Sequence, residues 1–165
     1  MTNAAQVAAL LEEDLRNLRD PRVRASIQAF RLPTPRLIRL AWDYGKPGDT
    51  YDGWLVFEDL ERRVGIAYCE QGFGPKNAWG LINVGESCPS MGMDSRWFRR
   101  FMDAYLDSFS ATDLPIWRVA RWTKGDTTRE HITEELSWEE AWGIVRRLAE
   151  DDATHAYQAE HAINY

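Results

Sequence analysis

An α+β fold built on an antiparallel or mixed sheet of about five to six strands is the class that the sequence predicts, and three observations predict it. Between Trp54 and Val84, three short runs dense in β-branched and aromatic residues are separated by turn formers, the pattern of consecutive antiparallel strands. On either side of that stretch, apolar residues recur at helical rather than alternating spacing. The 165-residue length suits one domain, burying roughly two-thirds of its unfolded surface without needing a disulfide or metal. The expected organisation is a single domain over 1–165, with residues 1–32 as a helical pair packed on the sheet.

Asn3 and Gln6 have the spacing of a capping box, and Val7, Leu10, Leu11, Leu15 and Leu18 follow on one face, which predicts a helix over 4–19. Asp20-Pro21 restarts the helix to about residue 31, aspartate as N-cap and proline in the first turn. Pro33 and Pro35 end the helical pattern, and alternation from Leu37 to Tyr44 predicts the first strand. Gly53 to Asp59 is read as a central strand with Trp54 and Val56 on one face and Leu55 and Phe57 on the other. In Val64–Cys69 the small set Gly65, Ala67 and Cys69 leaves room for a helix against that face.

Gly85 to Gly92 has no periodicity and is read as loop. Asp94 or Ser95 is then expected to cap a helix whose apolar stripe runs from Trp97 and Phe98 through Phe101, Met102 and Tyr105 to Phe109, with Arg99 and Asp103 spaced for an ion pair. A strand over Ile116–Trp122, a short strand within His131–Leu136 and a helix capped by Ser137 and Glu140 complete the pattern, followed by a last helix through Ala156 and Tyr157.

The formal net charge of −6 is unevenly spread: residues 1–41 hold seven arginines against four acids, and residues 126–165 ten acids against three arginines. An acidic chain is a poor nucleic-acid ligand, because phosphate affinity follows summed positive charge, so Arg22, Arg24, Arg31, Arg36 and Arg39 are expected to pair with acids of the same chain. The acidic end suits a basic partner. Two cysteines, 69 and 88, form neither a disulfide framework nor a CxxC pair, which favours free thiols in a reducing cytoplasm. Residues 1–20 lack the continuous apolar run of a signal or membrane segment.

Motifs for chemistry are missing. Gly72-x-Gly74 is followed by Asn77 where a dinucleotide fingerprint needs glycine or alanine, and it precedes a strand rather than a helix. Asp151 and His155 have metal-ligand spacing without a third ligand, and no histidine lies near either cysteine in sequence. No cofactor is implied. The eight tryptophans, at 42, 54, 79, 97, 117, 122, 138 and 142, are the main compositional oddity; Trp97, Trp138 and Trp142 fall on helical stripes and are read as core. The loop from Gln71 to Asn77, with two glycines, a proline and an aromatic, is the expected recognition element, with Glu70, Phe73, Lys76 and Trp79 as its partner- or ligand-binding residues. The function expected on these grounds is capture of another, basic, protein, in the manner of an inhibitor or immunity-type partner. The rival is an enzyme or small-ligand binder with a pocket near Gly72–Pro75.

Overall fold

The computed structural model describes residues 2–92 and 94–165. Among these the fold is α+β, with five α-helices, one six-stranded mixed sheet and one three-stranded antiparallel sheet. The chain divides into two compact units, residues 1–111 with Tyr165, and residues 112–164.

In the first unit, α1 (Ala4–Leu15) begins at the expected capping box: the Asn3 side chain accepts from the Gln6 N–H at 3.0 Å, and Gln6 Oε1 accepts from the Asn3 N–H at 2.9 Å. Asp20 caps α2 (Pro21–Phe30) through the N–H groups of Arg22 and Val23. The chain then turns directly into β1 (Arg31–Trp42), which starts ahead of the alternating run. Pro33 and Pro35 lie where the register with the next strand jumps between Arg31 and Arg36, a break in the ladder where a missing N–H is tolerated.

β2 (Thr50–Asp59), β3 (Val64–Tyr68) and β4 (Trp79–Asn83) form an antiparallel meander beside β1. The stretch expected to be all loop contributes β5 (Ser90–Met91), parallel to β1, and β6 (Arg96–Phe98) closes the order β5-β1-β2-β3-β4-β6. A register shift between Leu55 and Phe57 corrects the expected face assignment: Leu55 stands opposite Ala67, but Phe57 stands opposite Ile66, so the two side chains lie on opposite faces.

Those faces are covered differently. Leu40, Leu55, Ala67, Cys69, Ile82 and Met91, drawn from β1 to β5 and the residue after β3, form one buried cluster, so the sheet curls around its inner face. Among the described residues no helix lies beside Gly65, Ala67 and Cys69, which corrects the expectation, drawn from their small size, that one would pack there. The sheet's own side chains fill that space, and a Cβ on Gly65 would lie 2.2 Å from Val84 Cγ1.

Helices cover the outer face instead. Phe57 meets Phe30 at 5.8 Å, Phe101 at 6.4 Å and Tyr105 at 5.8 Å, and Trp79 meets Phe101 at 5.6 Å. Phe101 and Tyr105 belong to α3 (Phe101–Leu106), which starts later than the apolar stripe predicted because Arg96–Phe98 is taken by β6. Ser95 does not cap it; its hydroxyl accepts from the Gly92 N–H and the Trp97 indole. The cap comes from α1, where Asp14 Oδ2 accepts from the Phe101 N–H at 2.6 Å, with Arg100 3.7 Å from the same carboxylate. Asp103, expected opposite Arg99, accepts from the Tyr165 hydroxyl at 2.8 Å, and α4 (Phe109–Thr112) follows as a separate turn.

In the second unit, β7 (Trp117–Thr123) lies between β8 (Glu130–His131) and β9 (His155–His161), and α5 (Trp138–Asp151) packs on β7 and β9. Ser137 and Glu140 form the expected capping box. The predicted last helix is a strand: residues 155–161 pair with β7 at every position, and that ladder overrides a weak helical pattern. Ala141 and Val145 are the buried residues of α5, whereas Trp138 remains 38% exposed and contacts Trp142 at 5.7 Å, so these tryptophans flank the core stripe rather than fill it. No described helix is long and apolar enough to cross a membrane.

Candidate functional site: an aromatic cluster on the first unit

The loop between β3 and β4 is closed by the Cys69 N–H, which donates to Ala78 O at 2.8 Å. Gly72 has φ +72°, and a Cβ there would meet Met91 Cε at 2.6 Å and Trp42 Cζ3 at 2.9 Å, so only glycine seats the loop this closely on the sheet. The next residue, Phe73, lands on three rings: Trp42 at 5.3 Å edge-on, Tyr44 at 6.0 Å edge-on, and Trp97 at 5.8 Å stacked. Trp42 also meets Tyr44 at 5.2 Å and Tyr51 at 5.6 Å, extending the group to five rings. Trp97 reaches it by lying flat over Gly80, where a Cβ would come within 2.5 Å of the indole. Phe73 is 38% exposed and Tyr44 62%, so the cluster opens to solvent.

Of the four residues expected at the site, Phe73 is in this cluster and Lys76 is exposed in the short turn Pro75–Asn77 beside it. Trp79 is not. It is 4% exposed, packed on Tyr68 at 5.0 Å and on Phe101, because strand alternation sends its ring to the outer face. Glu70 is exposed and accepts from the Tyr68 hydroxyl at 3.0 Å. Trp42, Tyr44 and Trp97 are the ring partners that sequence reading missed: the first two looked like ordinary strand residues, and Trp97 like part of a helical stripe.

Glu70 lines a second feature, an open groove of about 570 Å³ that also involves Gln6, Ala9, Leu10, Glu13 and Tyr68. Burial, with help from Glu70, pushes the Tyr68 hydroxyl up to about 12, so it stays protonated as a donor to that carboxylate. Burial likewise pushes the Cys69 thiol up, which removes thiolate character, and both cysteines are free.

Elsewhere several of the N-terminal arginines meet partners in the same chain. Arg22 pairs with Asp20, Arg31 with Glu12 and Arg36 with Glu58, and Arg24 donates to Leu18 O. The second unit contains the pairs Arg118–Glu135, Arg121–Glu130 and Arg129–Glu160. His155 turns to Asp152, not Asp151: its Nδ1 is 2.7 Å from Asp152 Oδ2, which also accepts from the Tyr157 hydroxyl at 2.7 Å. The Thr154 hydroxyl, the Tyr157 hydroxyl and the Thr154 N–H hold Asp152 well below the usual carboxylate range, and together they fasten the corner between α5 and β9. Among the described residues, no group of three or more histidine, cysteine, aspartate or glutamate side chains is placed to hold a metal ion. No family model matches the chain, and no curated protein or solved structure matches it.

Proposed function

We propose that the chain is a protein-binding module, of the inhibitor type, that captures a basic protein through the aromatic cluster around Phe73. The observation that carries this reading is the solvent-open set of rings in which Phe73 and Tyr44 rest on Trp42 and Trp97. Large rings with few rotatable bonds offer contact area at low entropic cost, and such rings dominate binding energy at interfaces. A folded chain with formal net charge −6 attracts a positively charged partner and speeds encounter with it. Gly72 packed on Met91 and Trp42 leaves the base of the loop filled, which disfavours the rival reading of a small-ligand pocket beneath Gly72–Pro75.

The test compares the wild type with Tyr44→Ala and Phe73→Ala as baits in native lysate, with melting temperatures measured alongside. A basic protein retained by the wild type and lost by both variants, at melting temperatures close to the wild type's, is the expected result. Equal retention by all three baits would sink the proposal.

A further inference from the structure

We infer that β9 is an association edge along which two copies of this chain pair antiparallel, joining their three-stranded sheets into one.

The ladder with β7 fixes which backbone groups of β9 face outward. The Ala162 N–H donates to Ile116 O and the Lys124 N–H to Thr154 O, so the even-numbered residues of β9 exchange hydrogen bonds with β7 and the odd-numbered ones point away from it. The other side of β7 keeps the same alternation, since Trp117 exchanges both bonds with Leu136 and Val119 O accepts from Ile132. On the outer edge of β9 the His155 N–H is taken by Asp152 Oδ1. The outward N–H and C=O groups of Tyr157 and Ala159 have no partner among the described residues. Every residue of β9 is at least partly exposed, whereas those of β3, a central strand, are all buried.

This edge differs from the others in the fold. The other strands that end a sheet, β5, β6 and β8, are 2, 3 and 2 residues long, and β1 carries Pro33 and Pro35 ahead of its pairing with β5. β9 runs 7 residues in unbroken register, with no proline, lysine or bulge to keep another strand off.

The side chains of β9 fit a copy of the same strand. With Gln158 on a two-fold axis, Tyr157 faces Ala159 of the second copy, a large ring beside a small side chain, and the outward groups of both residues find partners. Glu160 then faces Ala156 and is already held by Arg129, so no carboxylate or guanidinium stands opposite another of its own sign. A foreign segment would gain the same backbone bonds without this match along the strand.

Sedimentation equilibrium of the full chain tests the inference, with amide hydrogen exchange measured at high and low protein concentration. The expected result is a species of twice the 19.1 kDa chain mass that dissociates on dilution, with the Tyr157 and Ala159 amides protected only in the dimer. Gln158→Lys, at an exposed position, sets like charges against each other on the axis and should weaken the dimer about threefold or more. Mixing it with Gln158→Glu should restore association. Ala159→Pro removes an N–H that the ladder with β7 does not use, and should weaken the dimer about tenfold or more with an unchanged circular dichroism spectrum. Should the proline variant unfold, the Gln158 variants decide alone. A wild type that stays monomeric up to millimolar concentration, a dimer that Gln158→Lys leaves as tight as before, or protection of the Tyr157 and Ala159 amides only by a foreign protein would each overturn the inference.

Discussion

The two faces of the six-stranded sheet are built from the same strands yet solve burial in opposite ways. Outward, Phe57 and Trp79 are large and meet rings brought by helices, Phe30 from α2 and Phe101 and Tyr105 from α3, while Tyr68 packs on Trp79. Inward, Gly65, Ala67 and Gly80 are small and the curl of the sheet brings its own side chains together, ending in rings that remain open to water. A helix-covered face seals because the helix supplies the missing side chains. A self-covered face must have a rim, and Phe73 and Tyr44 stand on it. The single step from Cys69, inward and buried, to Glu70, exposed beside the outer-face groove, shows how sharply strand alternation separates the two environments.

The sealed face should break hardest. Phe101→Ala removes a fully buried ring touching Phe57, Trp79 and Tyr105, and is expected to cost about 3 to 5 kcal/mol, read by denaturant or thermal unfolding. A loss below 1 kcal/mol, on the order of a surface change, would mean that the helix does not seal that face. On the inner face, Gly80→Val forces side-chain atoms into the Trp97 indole and should cost about 1 to 3 kcal/mol, with a shift in tryptophan emission as the ring is displaced. Unchanged emission and stability would contradict the close seat of Trp97.

At the rim, Phe73→Ala should cost only about 1 kcal/mol, because the ring is part exposed and its edge-on and stacked contacts are each modest. A loss of about 2 kcal/mol or more would make Phe73 a plug that completes the inner core. The smallest effect concerns Asp14, whose carboxyl is raised above its ordinary value, chiefly by burial and against the opposing Phe101 N–H and Arg100. A raised carboxyl favours the folded state below its unfolded value, and that contribution is lost as pH rises through the folded value. Asp14→Asn keeps an acceptor for Phe101 and should flatten stability across that acidic interval. A stability curve identical to wild type there would deny the shift.

Legibility in the sequence followed the range of the interaction that sets each element. The capping boxes at Asn3–Gln6 and Ser137–Glu140 and the Asp20-Pro21 restart are local, and each appears where its residues predict. The meander from β2 to β4 was legible because its strands have clear composition and the turn and the glycine-rich loop between them carry strong breakers. What failed was decided by distant partners. Trp97 and Phe98 fit a helical stripe, but β4 offers Gly80 and Trp79 as ladder neighbours and makes them strand. Residues 155–161 fit a weak helix until β7 pairs with all of them. Of the candidate site, Phe73 was legible from its glycine-flanked loop, whereas Trp42, Tyr44 and Trp97 join it only through the curl of the sheet, which no local pattern encodes. Trp79 was misplaced because proximity in sequence to Phe73 says nothing about which face a strand residue takes.

The hydrogen bond from Phe101 to Asp14 spans 87 residues, and this sets an order of events during synthesis. α3 is six residues long, too short to persist in water on its own, and its first turn has no side-chain cap of its own. The carboxylate that completes it leaves the ribosome first and, at about 5 to 20 residues per second, waits roughly 4 to 17 s for its partner amide. During that interval β2 and β3 can pair while the outer ring of Phe57 lacks the Phe101 and Tyr105 side chains that will cover it. The nascent meander is therefore the stage at which this chain is most exposed to self-association, and docking of α3 onto α1 is the step that ends it.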